Sequence, residues 1–199
     1  MNFRLLAVAV VGLVVGGAVA IALLPGSREQ LPVLPSVGKA LVGGPFELVD
    51  HTGKTVTDKD FRGRFMLVYF GFTYCPDVCP SALQVMSTAL DQVGAKADKV
   101  VPLFITVDPE RDTPAQLAQY VPSFHPRLIG LTGTPEQIAA VEKAYRVYAK
   151  KVTDDKSTVG YTFDHTSLVY LMDPKGDYVA HFTHATPVER IVERLQKAL

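Results

Sequence analysis

The sequence predicts an α/β domain with a central mixed sheet, flanking helices and a C-terminal β-hairpin, preceded by one N-terminal transmembrane helix. Three observations predict this arrangement. Apolar runs of strand length alternate with amphipathic segments of helix length, a hairpin pattern comes near the end of the chain, and residues 5–24 carry no charge. Lys+Arg and Asp+Glu both total 20, which excludes the basic surface of a nucleic-acid-binding protein.

The uncharged run Leu5–Leu24 is about 30 Å long as a helix, which matches the hydrocarbon core of a bilayer. Arg4 precedes it, so we expect the N-terminus in the cytoplasm and the rest of the chain exported. A cleavable signal peptide is the alternative, because Ala18-Val19-Ala20 has the form of a cleavage site. We predict an anchor over 1–24, a Pro- and Gly-containing linker over 25–41, and a folded domain over 42–199.

The predicted location is an inner membrane with the domain facing a bacterial periplasm. The chain has no Arg- and Ser-rich presequence of the mitochondrial type. The mitochondrial intermembrane space is the alternative.

Strands are predicted where short apolar runs are bounded by turn residues. The first is 45–50, followed by a turn at His51-Thr52-Gly53 and half a hairpin ending near Val56. The others are 65–72, 100–107 and 127–131, and a hairpin formed by 167–172 and 178–182 around the turn at 173–176.

Helices are predicted where apolar residues recur every three or four positions after a start signal. Residues 80–93 have this spacing. Thr-Pro pairs at 113–114, 134–135 and 186–187 combine an N-cap with proline at the first helical position, and each predicts a helix start. Alternating strands and helices favour parallel central strands, and an antiparallel hairpin that closes such a sheet is the thioredoxin arrangement.

The two cysteines, Cys75 and Cys79, lie between the predicted strand 65–72 and the helix at 80–93. The carboxyl ends of strands in open α/β sheets are where sites are built, and a helix N-terminus lowers the pKa of a thiol. Three interpretations compete. A structural disulfide would close too short a loop to stabilise much, whereas a dithiol redox pair or a soft-metal site for Cu(I) or zinc fits the position.

A third ligand would decide between these interpretations, and the chain has five histidines. His51 and His125 are in predicted turns, where we expect exposure to solvent. His181 and His184 form a His-x-x-His pair at the end of the hairpin, without a third ligand nearby. His165 is at the entry to the hairpin, which in thioredoxin topology passes beside the redox motif, and Asp164 is a candidate to orient its ring.

Three segments resemble the Sco/SenC family of copper-handling assembly factors for cytochrome c oxidase. They are Phe70–Pro80 (FGFTYCPDVCP), Val107–Pro114 (VDPERDTP) and Tyr161-x-x-Asp164-His165 with Thr166, within a resemblance that covers about 35–199. The resemblance implies that Cys75, Cys79 and His165 bind copper, as Cu(I), Cu(II) or both. It also implies delivery of copper to the Cu(A) centre of oxidase subunit II, or reduction of that subunit's cysteines.

Further candidate partners are other copper chaperones or thiol reductases. A thiol–disulfide oxidoreductase and a copper or redox sensor remain alternatives, because both would use the same cysteine pair. A thiol peroxidase is disfavoured because no arginine flanks Cys75.

Besides Asp164, two further acids are candidates for contacts around the ligands or with a partner. Asp77 lies inside the cysteine motif and is a capping group or partner contact, since a hard carboxylate suits Cu(I) poorly. Asp108 follows the strand 100–107 and is expected to emerge at the same sheet edge as the cysteines. Arg111 is expected to pair with neighbouring acids or to meet a partner. For Asp108 and Arg111, a capped, charged loop that only starts the next helix is an equally good explanation.

Overall fold

The structure is a computed structural model that describes residues 41–153 and 160–199. The predicted anchor over 1–24 and all but the last residue of the predicted linker lie outside these residues. In the described part of the chain, no helix has the length and apolar character needed to cross a membrane.

The secondary structure follows the predicted order of strands and helices, with two strands more than expected. Short 3₁₀ turns over Asp58–Phe61, Gly94–Lys99 and Val121–Ser123 join several elements. The strands are β1 (Glu47–Asp50), β2 (Thr55–Thr57), β3 (Phe65–Gly71), β4 (Val100–Thr106), β5 (Ile129–Thr132), β6 (Ala149–Thr153), β7 (Tyr161–His165), β8 (Leu168–Met172) and β9 (Tyr178–Thr183). The helices are α1 (Val78–Val93), α2 (Pro114–Tyr120), α3 (Pro135–Tyr145) and α4 (Val188–Ala198).

Seven of the described strands form one mixed sheet in the order β2-β1-β5-β4-β3-β8-β9. The central strands β5, β4 and β3 are parallel, and Gly71 at the end of β3 lies opposite Thr106 at the end of β4. Strand β8 runs antiparallel beside β3, with Val169 opposite Tyr69. The carboxyl ends of β3 and β4 therefore meet the beginning of β8 at one edge of the sheet. This mixed sheet with its closing hairpin confirms the predicted α/β architecture.

The core lies on both faces of this sheet because the central strands are buried on both sides. On one face, Tyr69 stacks on Phe104, whose ring contacts Tyr120 at the end of α2. On the other face, Phe70 and Tyr170 both pack against Tyr145 of α3. Alternation along β3 thus assigns neighbouring residues to opposite layers.

Two of the three Thr-Pro pairs cap helices as predicted. The hydroxyl of Thr113 accepts from the N–H of Gln116 at the start of α2, and Thr134 forms a capping box with Gln137 at the start of α3. The third pair differs, since Pro187 is the N-cap of α4 and the hydroxyl of Thr186 accepts from the N–H of Thr183. Thr186 therefore closes the turn after β9 and does not cap the helix.

Strands β6 and β7 form a separate antiparallel two-stranded sheet, here called the ribbon, which the sequence pattern did not predict. Their side chains are half-buried or exposed, so no alternation of apolar and polar residues marks them. His165 is the last residue of β7, opposite Ala149 of β6. Its predicted position, at the start of the first hairpin strand, was therefore wrong. The hairpin begins three residues later, at Leu168.

Candidate metal centre

The cysteine loop, residues 72–77, joins the end of β3 to the beginning of α1. The backbone N–H of Cys75 donates to the carbonyl oxygen of Phe72 at 3.2 Å, which turns the chain back over the sheet edge. Cys75 is half-buried, whereas Cys79 lies in the first turn of α1 and is fully buried. Helix α1 begins at Val78, two residues before the predicted start, so Cys79 belongs to the helix and Cys75 lies in front of its N-terminus.

A buried carboxylate holds this loop against the sheet. Asp112 is fully buried and accepts from the backbone N–H of Thr73 at 3.0 Å and from its hydroxyl at 2.6 Å. The hydroxyl of Thr106, the last residue of β4, donates to the same carboxylate at 2.6 Å. Burial raises the pKa of Asp112, and these donated hydrogen bonds oppose that rise. The loops after β3 and β4 are thereby linked at a single residue.

His165 comes to the cysteines from the ribbon. Tyr148 and Thr166 exchange hydrogen bonds beside it, at 2.9 Å between Thr166 N–H and Tyr148 carbonyl and 3.0 Å between Tyr148 N–H and Thr166 hydroxyl. The imidazole stands edge-on to the rings of Tyr69 and Phe72, with centroid distances of 6.4 and 5.8 Å. These contacts hold the ring at the end of β3.

The imidazole Nε2 is 3.5 Å from the sulfur of Cys79. On the other side of the ring, Nδ1 is 3.1 Å from the carbonyl oxygen of Thr166, which can only accept a hydrogen bond. The proton of the neutral ring is therefore assigned to Nδ1, which leaves the Nε2 lone pair directed at the sulfur. A backbone carbonyl that orients the far nitrogen is a common partner for a metal-binding histidine.

The two sulfurs are electrostatically unequal. A hydrogen bond from the Cys79 thiol is the largest cause that lowers the pKa of Cys75, to about 4, and the backbone N–H groups of Asp77 and Cys79 lower it further. The N–H of Cys79 reaches this sulfur at 3.5 Å. The same interaction and burial raise the pKa of Cys79. The pair therefore combines an accessible thiolate with a buried thiol, and neither cysteine is in a disulfide.

The three side chains that were predicted as ligands are thus brought together. Bond lengths of about 2.3 Å for sulfur and 2.0 Å for nitrogen, as at zinc, would put two ligand atoms of one metal about 3.5 to 3.7 Å apart. The distance between Cys79 sulfur and His165 Nε2 has this size. As they stand, no three His, Cys, Asp or Glu side chains in the described residues are arranged so that they could hold a metal ion. The site is a cluster of three donors held by hydrogen bonds.

The acids predicted near the site have different surroundings. Asp77 is exposed at the N-cap of α1, and its carboxylate makes no capping hydrogen bond to the helix backbone. Asp164 is exposed, and the carbonyl of Thr166, not Asp164, contacts the ring of His165. The expectation that Asp164 orients the imidazole was therefore wrong, because alternation along β7 directs the two side chains to opposite faces.

Asp108 is buried and belongs to a clamp around Arg111. The guanidinium group of Arg111 pairs with the Asp108 carboxylate, and the Tyr161 hydroxyl donates to that carboxylate at 3.0 Å. The guanidinium carbon lies 3.6 Å from the ring centroid of Tyr161 and 4.7 Å from that of Tyr74. Tyr74 precedes Cys75 and Tyr161 begins β7, so the clamp joins the cysteine loop to the ribbon that carries His165.

Two histidines predicted to be exposed are not. The side chain of His125 is buried, and its Nδ1 accepts from the backbone N–H of Arg127 at 3.0 Å. His51 is half-buried and accepts from the N–H of Gly130 at 3.2 Å. The His125 imidazole takes the place of a backbone acceptor inside its own turn, and the His51 imidazole accepts from a residue of strand β5. Both are structural roles. His181 and His184 are exposed, as expected for a pair outside the site.

Comparison with known proteins identifies the family. The SCO1/SenC family model matches residues 35–199, which is most of the chain. The chain belongs to the SCO1/SenC family. A curated relative, "Protein SCO1 homolog 1, mitochondrial" of Arabidopsis thaliana, is 44% identical over 166 residues, which are 83% of this chain and 49% of the relative. The chain thus spans about half the length of that relative.

Solved structures with the same fold include SCO1/SenC members. "Structure of Bradyrhizobium japonicum ScoI with copper bound" has 49% identity and a TM-score of 0.73, and the match covers 79% of this chain and 99% of that one. A structure of BsSco, described as "a member of the Sco family of cytochrome c oxidase assembly proteins", has 23% identity and a TM-score of 0.63, with coverage of 81% and 95%. The latter likeness shows the fold.

Proposed function

We propose that this chain is a copper-binding assembly factor of cytochrome c oxidase in which Cys75, Cys79 and His165 are the copper ligands. It delivers copper to the Cu(A) centre of oxidase subunit II or prepares that subunit's cysteines for the metal. The observation that carries the proposal is the 3.5 Å approach of the His165 Nε2 lone pair to the Cys79 sulfur, next to the thiolate-prone Cys75. The Bradyrhizobium relative with copper bound supports copper as the metal.

The chemistry of the donors suits copper as a cargo. Two cysteine sulfurs and one imidazole select Cu(I) and other soft or borderline metals over Mg²⁺ or Ca²⁺. Cys79 is buried and holds its position, whereas Cys75 is partly exposed. An acceptor's thiolate can therefore approach from the Cys75 side, replace the ligands one at a time and take the metal without its release into water.

A copper titration tests the metal site. The reduced 199-residue chain is titrated with Cu(I) against a competing chelator, beside the variants His165→Ala and His184→Ala. We expect one copper per chain and affinity that falls at least about 100-fold in His165→Ala, because loss of a ligand should cost more than the 10- to 100-fold typical for loss of a group that only orients one. His184 is exposed and outside the site, so its variant should bind as the wild type does. Equal affinities in all three proteins would exclude His165 as a ligand.

A transfer assay tests the role in assembly. The copper-loaded chain is mixed with the reduced, copper-free Cu(A) domain of subunit II, and the absorption of the mixed-valence centre is followed. Formation of the centre at a rate that saturates with acceptor concentration supports direct delivery. A rate equal to that of copper dissociation from the chain would mean that the metal passes through solution, and would contradict direct transfer.

A second function, thiol–disulfide exchange, is favoured by the unequal sulfurs. The Cys75 thiolate attacks a partner disulfide, which forms a mixed disulfide and releases one partner thiolate. The Cys79 sulfur, after loss of its proton, then attacks the Cys75 sulfur and releases the second partner thiolate. The pair is oxidised to a disulfide and the partner gains two electrons. A Cys79→Ala variant should accumulate the mixed disulfide with oxidised subunit II, whereas Cys75→Ala should not.

The cellular setting is also part of this proposal. The uncharged segment 5–24 anchors the chain in the inner membrane, and the folded domain faces the periplasm or the mitochondrial intermembrane space. Relatives from Arabidopsis mitochondria and from Bradyrhizobium are compatible with both settings. Protease added to spheroplasts should degrade the domain over 42–199 if it faces outward. Complete protection in intact spheroplasts would place it in the cytoplasm.

A further inference from the structure

Two tyrosine hydroxyls are buried in the described residues without any hydrogen-bond partner, those of Tyr69 and Tyr120. A buried hydroxyl that lacks a partner is unfavourable, because it loses its hydrogen bonds to water and gains none. The ring of Tyr69 has no exposed surface, so no water compensates for this loss. A buried polar group without a partner calls for an explanation, and the position of the Tyr69 hydroxyl provides one.

The hydroxyl end of Tyr69 lies beside the candidate ligands. A Cβ atom placed on Gly71 would be 2.8 Å from the Cys79 sulfur and 2.9 Å from Cε1 of Tyr69, the ring atom next to the one that carries the hydroxyl. The Cys79 sulfur and this edge of the Tyr69 ring therefore both lie next to the Gly71 backbone, in the space that a side chain at Gly71 would fill. The imidazole of His165 stands edge-on to the same ring. Tyr69 thus forms part of the floor of the metal centre.

Toward a thiolate, the Tyr69 phenol is the hydrogen-bond donor. Its oxygen carries a proton, whereas a thiolate sulfur carries none and can only accept. The side chains of Cys79 and Ser167 lie near this hydroxyl. Neither has hydrogen-bond geometry to it in the metal-free arrangement. A neutral thiol is a weak acceptor.

We propose that the Tyr69 hydroxyl is a positioning group that donates a hydrogen bond to the Cys79 sulfur once that sulfur has lost its proton to become a copper ligand. The inference rests on the proposed function, since it needs Cys79 to bind a metal. A metal-bound thiolate keeps lone pairs that point away from the metal, and these accept hydrogen bonds far better than a thiol. The hydroxyl without a partner in the metal-free protein thereby gains one in the loaded protein. The unpaired hydroxyl therefore destabilises the metal-free state but not the copper-loaded state. This difference in free energy favours copper binding.

The test compares Tyr69→Phe with Tyr145→Phe, which removes another buried tyrosine hydroxyl on the opposite face of the sheet. Tyr69→Phe keeps the ring and removes only the oxygen. We expect its Cu(I) affinity, measured with a competing chelator, to fall about 10- to 100-fold, the effect of one hydrogen bond to a charged acceptor. In the metal-free protein the same change should raise the melting temperature, because it removes a buried hydroxyl without a partner.

A spectroscopic measurement separates this role from a general packing effect. With Cu(II) bound, removing a hydrogen bond from a thiolate ligand raises the energy of its lone pairs, so the sulfur-to-copper charge-transfer band should move to longer wavelength in Tyr69→Phe. Tyr145→Phe should leave the band and the affinity unchanged. An unchanged band and affinity in Tyr69→Phe would overturn the inference while the copper site stands. Absence of copper binding in the wild-type chain would instead overturn the proposed function.

Discussion

Replacing Gly71 by alanine should weaken metal binding strongly while it lowers the stability of the fold only moderately. A Cβ atom at this position would lie 2.8 Å from the Cys79 sulfur, 2.9 Å from Cε1 of Tyr69 and 3.0 Å from Cε2 of Phe104. All three neighbours are fully buried, so none can turn into solvent to make room. The sulfur must retreat by about 1 Å to reach an ordinary van der Waals distance, and that movement disturbs its 3.5 Å approach to His165.

The expected cost in stability is moderate and the expected cost in metal binding is large. Overpacking by one methyl group costs about 2 kcal/mol, which for a domain of this size lowers the melting temperature by about 4 to 8 °C. Gly130→Ala is the matched control. Its Cβ would meet Val121 at 2.9 Å and Leu117 at 3.1 Å, on the same face of the sheet but away from both cysteines.

Thermal unfolding followed by circular dichroism and Cu(I) competition titrations measure the two effects. We expect both variants to lose similar stability, and only Gly71→Ala to lose about 10-fold or more in Cu(I) affinity, because an error of about 1 Å in a ligand position is costly. If Gly71→Ala binds Cu(I) as tightly as Gly130→Ala does, the sulfur does not need the space over Gly71, and the steric argument fails.

Three further predictions concern the surroundings of the cysteines. Asp112→Asn replaces one carboxylate oxygen by an N–H₂ group, which then faces at least one of the three donors that the carboxylate accepts from, so the free energy of unfolding by denaturant should fall by about 3 kcal/mol. Asp164→Asn, at an exposed position, should change it little; equal effects would contradict the buried network. Burial raises the pKa of Glu142 from 4.5 to about 7, so the folded state favours the protonated carboxyl. The protonated carboxyl contributes fully to stability below pH 4.5, and this contribution is lost as the pH rises through 7. Glu142→Gln should therefore stabilise the protein at pH 8 by about 1 kcal/mol relative to the wild type and have less effect at pH 5, since partial exposure reduces the electrostatic cost; a larger gain at pH 5 would refute the sign. The pKa of Cys75 is lowered to about 4, so the rate of alkylation of Cys75 in the reduced chain should be nearly independent of pH between about 6 and 8. Cys79→Ala removes the largest cause of the lowered pKa, so in this variant the rate should rise with pH. A steep rise in the wild type would contradict the lowered pKa.

The elements that local patterns specify were predicted well. Buried strands such as β3 and β4 are continuous apolar runs, and helices α2 and α3 begin at Thr-Pro pairs whose hydroxyls accept the first free N–H groups. These signals need only a few neighbouring residues. The order of such elements was enough to predict the mixed sheet and the edge at which the cysteines lie.

The ribbon could not be predicted in the same way. Strand β6 has four exposed residues out of five, so hydrophobic periodicity leaves no trace of it. Its pairing with β7 nevertheless determines where His165 lies. The histidine was selected as a ligand from its neighbourhood in the sequence and from the family resemblance, while the strand that carries it was missed.

The groups that support the site depend on contacts distant in sequence. Asp112 binds Thr73 across 39 residues, and Arg111 contacts Tyr161 across 50. Neither partner can be chosen from spacing alone. Tyr69 was hidden for another reason, because a tyrosine within a buried strand looks like ordinary core, and only coordinates show that its hydroxyl has no partner.

The most direct test of the copper centre is X-ray absorption at the copper edge of the reduced, Cu(I)-loaded chain. The arrangement of Cys75, Cys79 and His165 predicts two sulfur ligands and one imidazole nitrogen in a single shell of three atoms. In His165→Ala the imidazole scattering should disappear while both sulfur contributions remain. A wild-type spectrum without imidazole scattering, or with one sulfur or none, would contradict the assignment of these three side chains as the ligands.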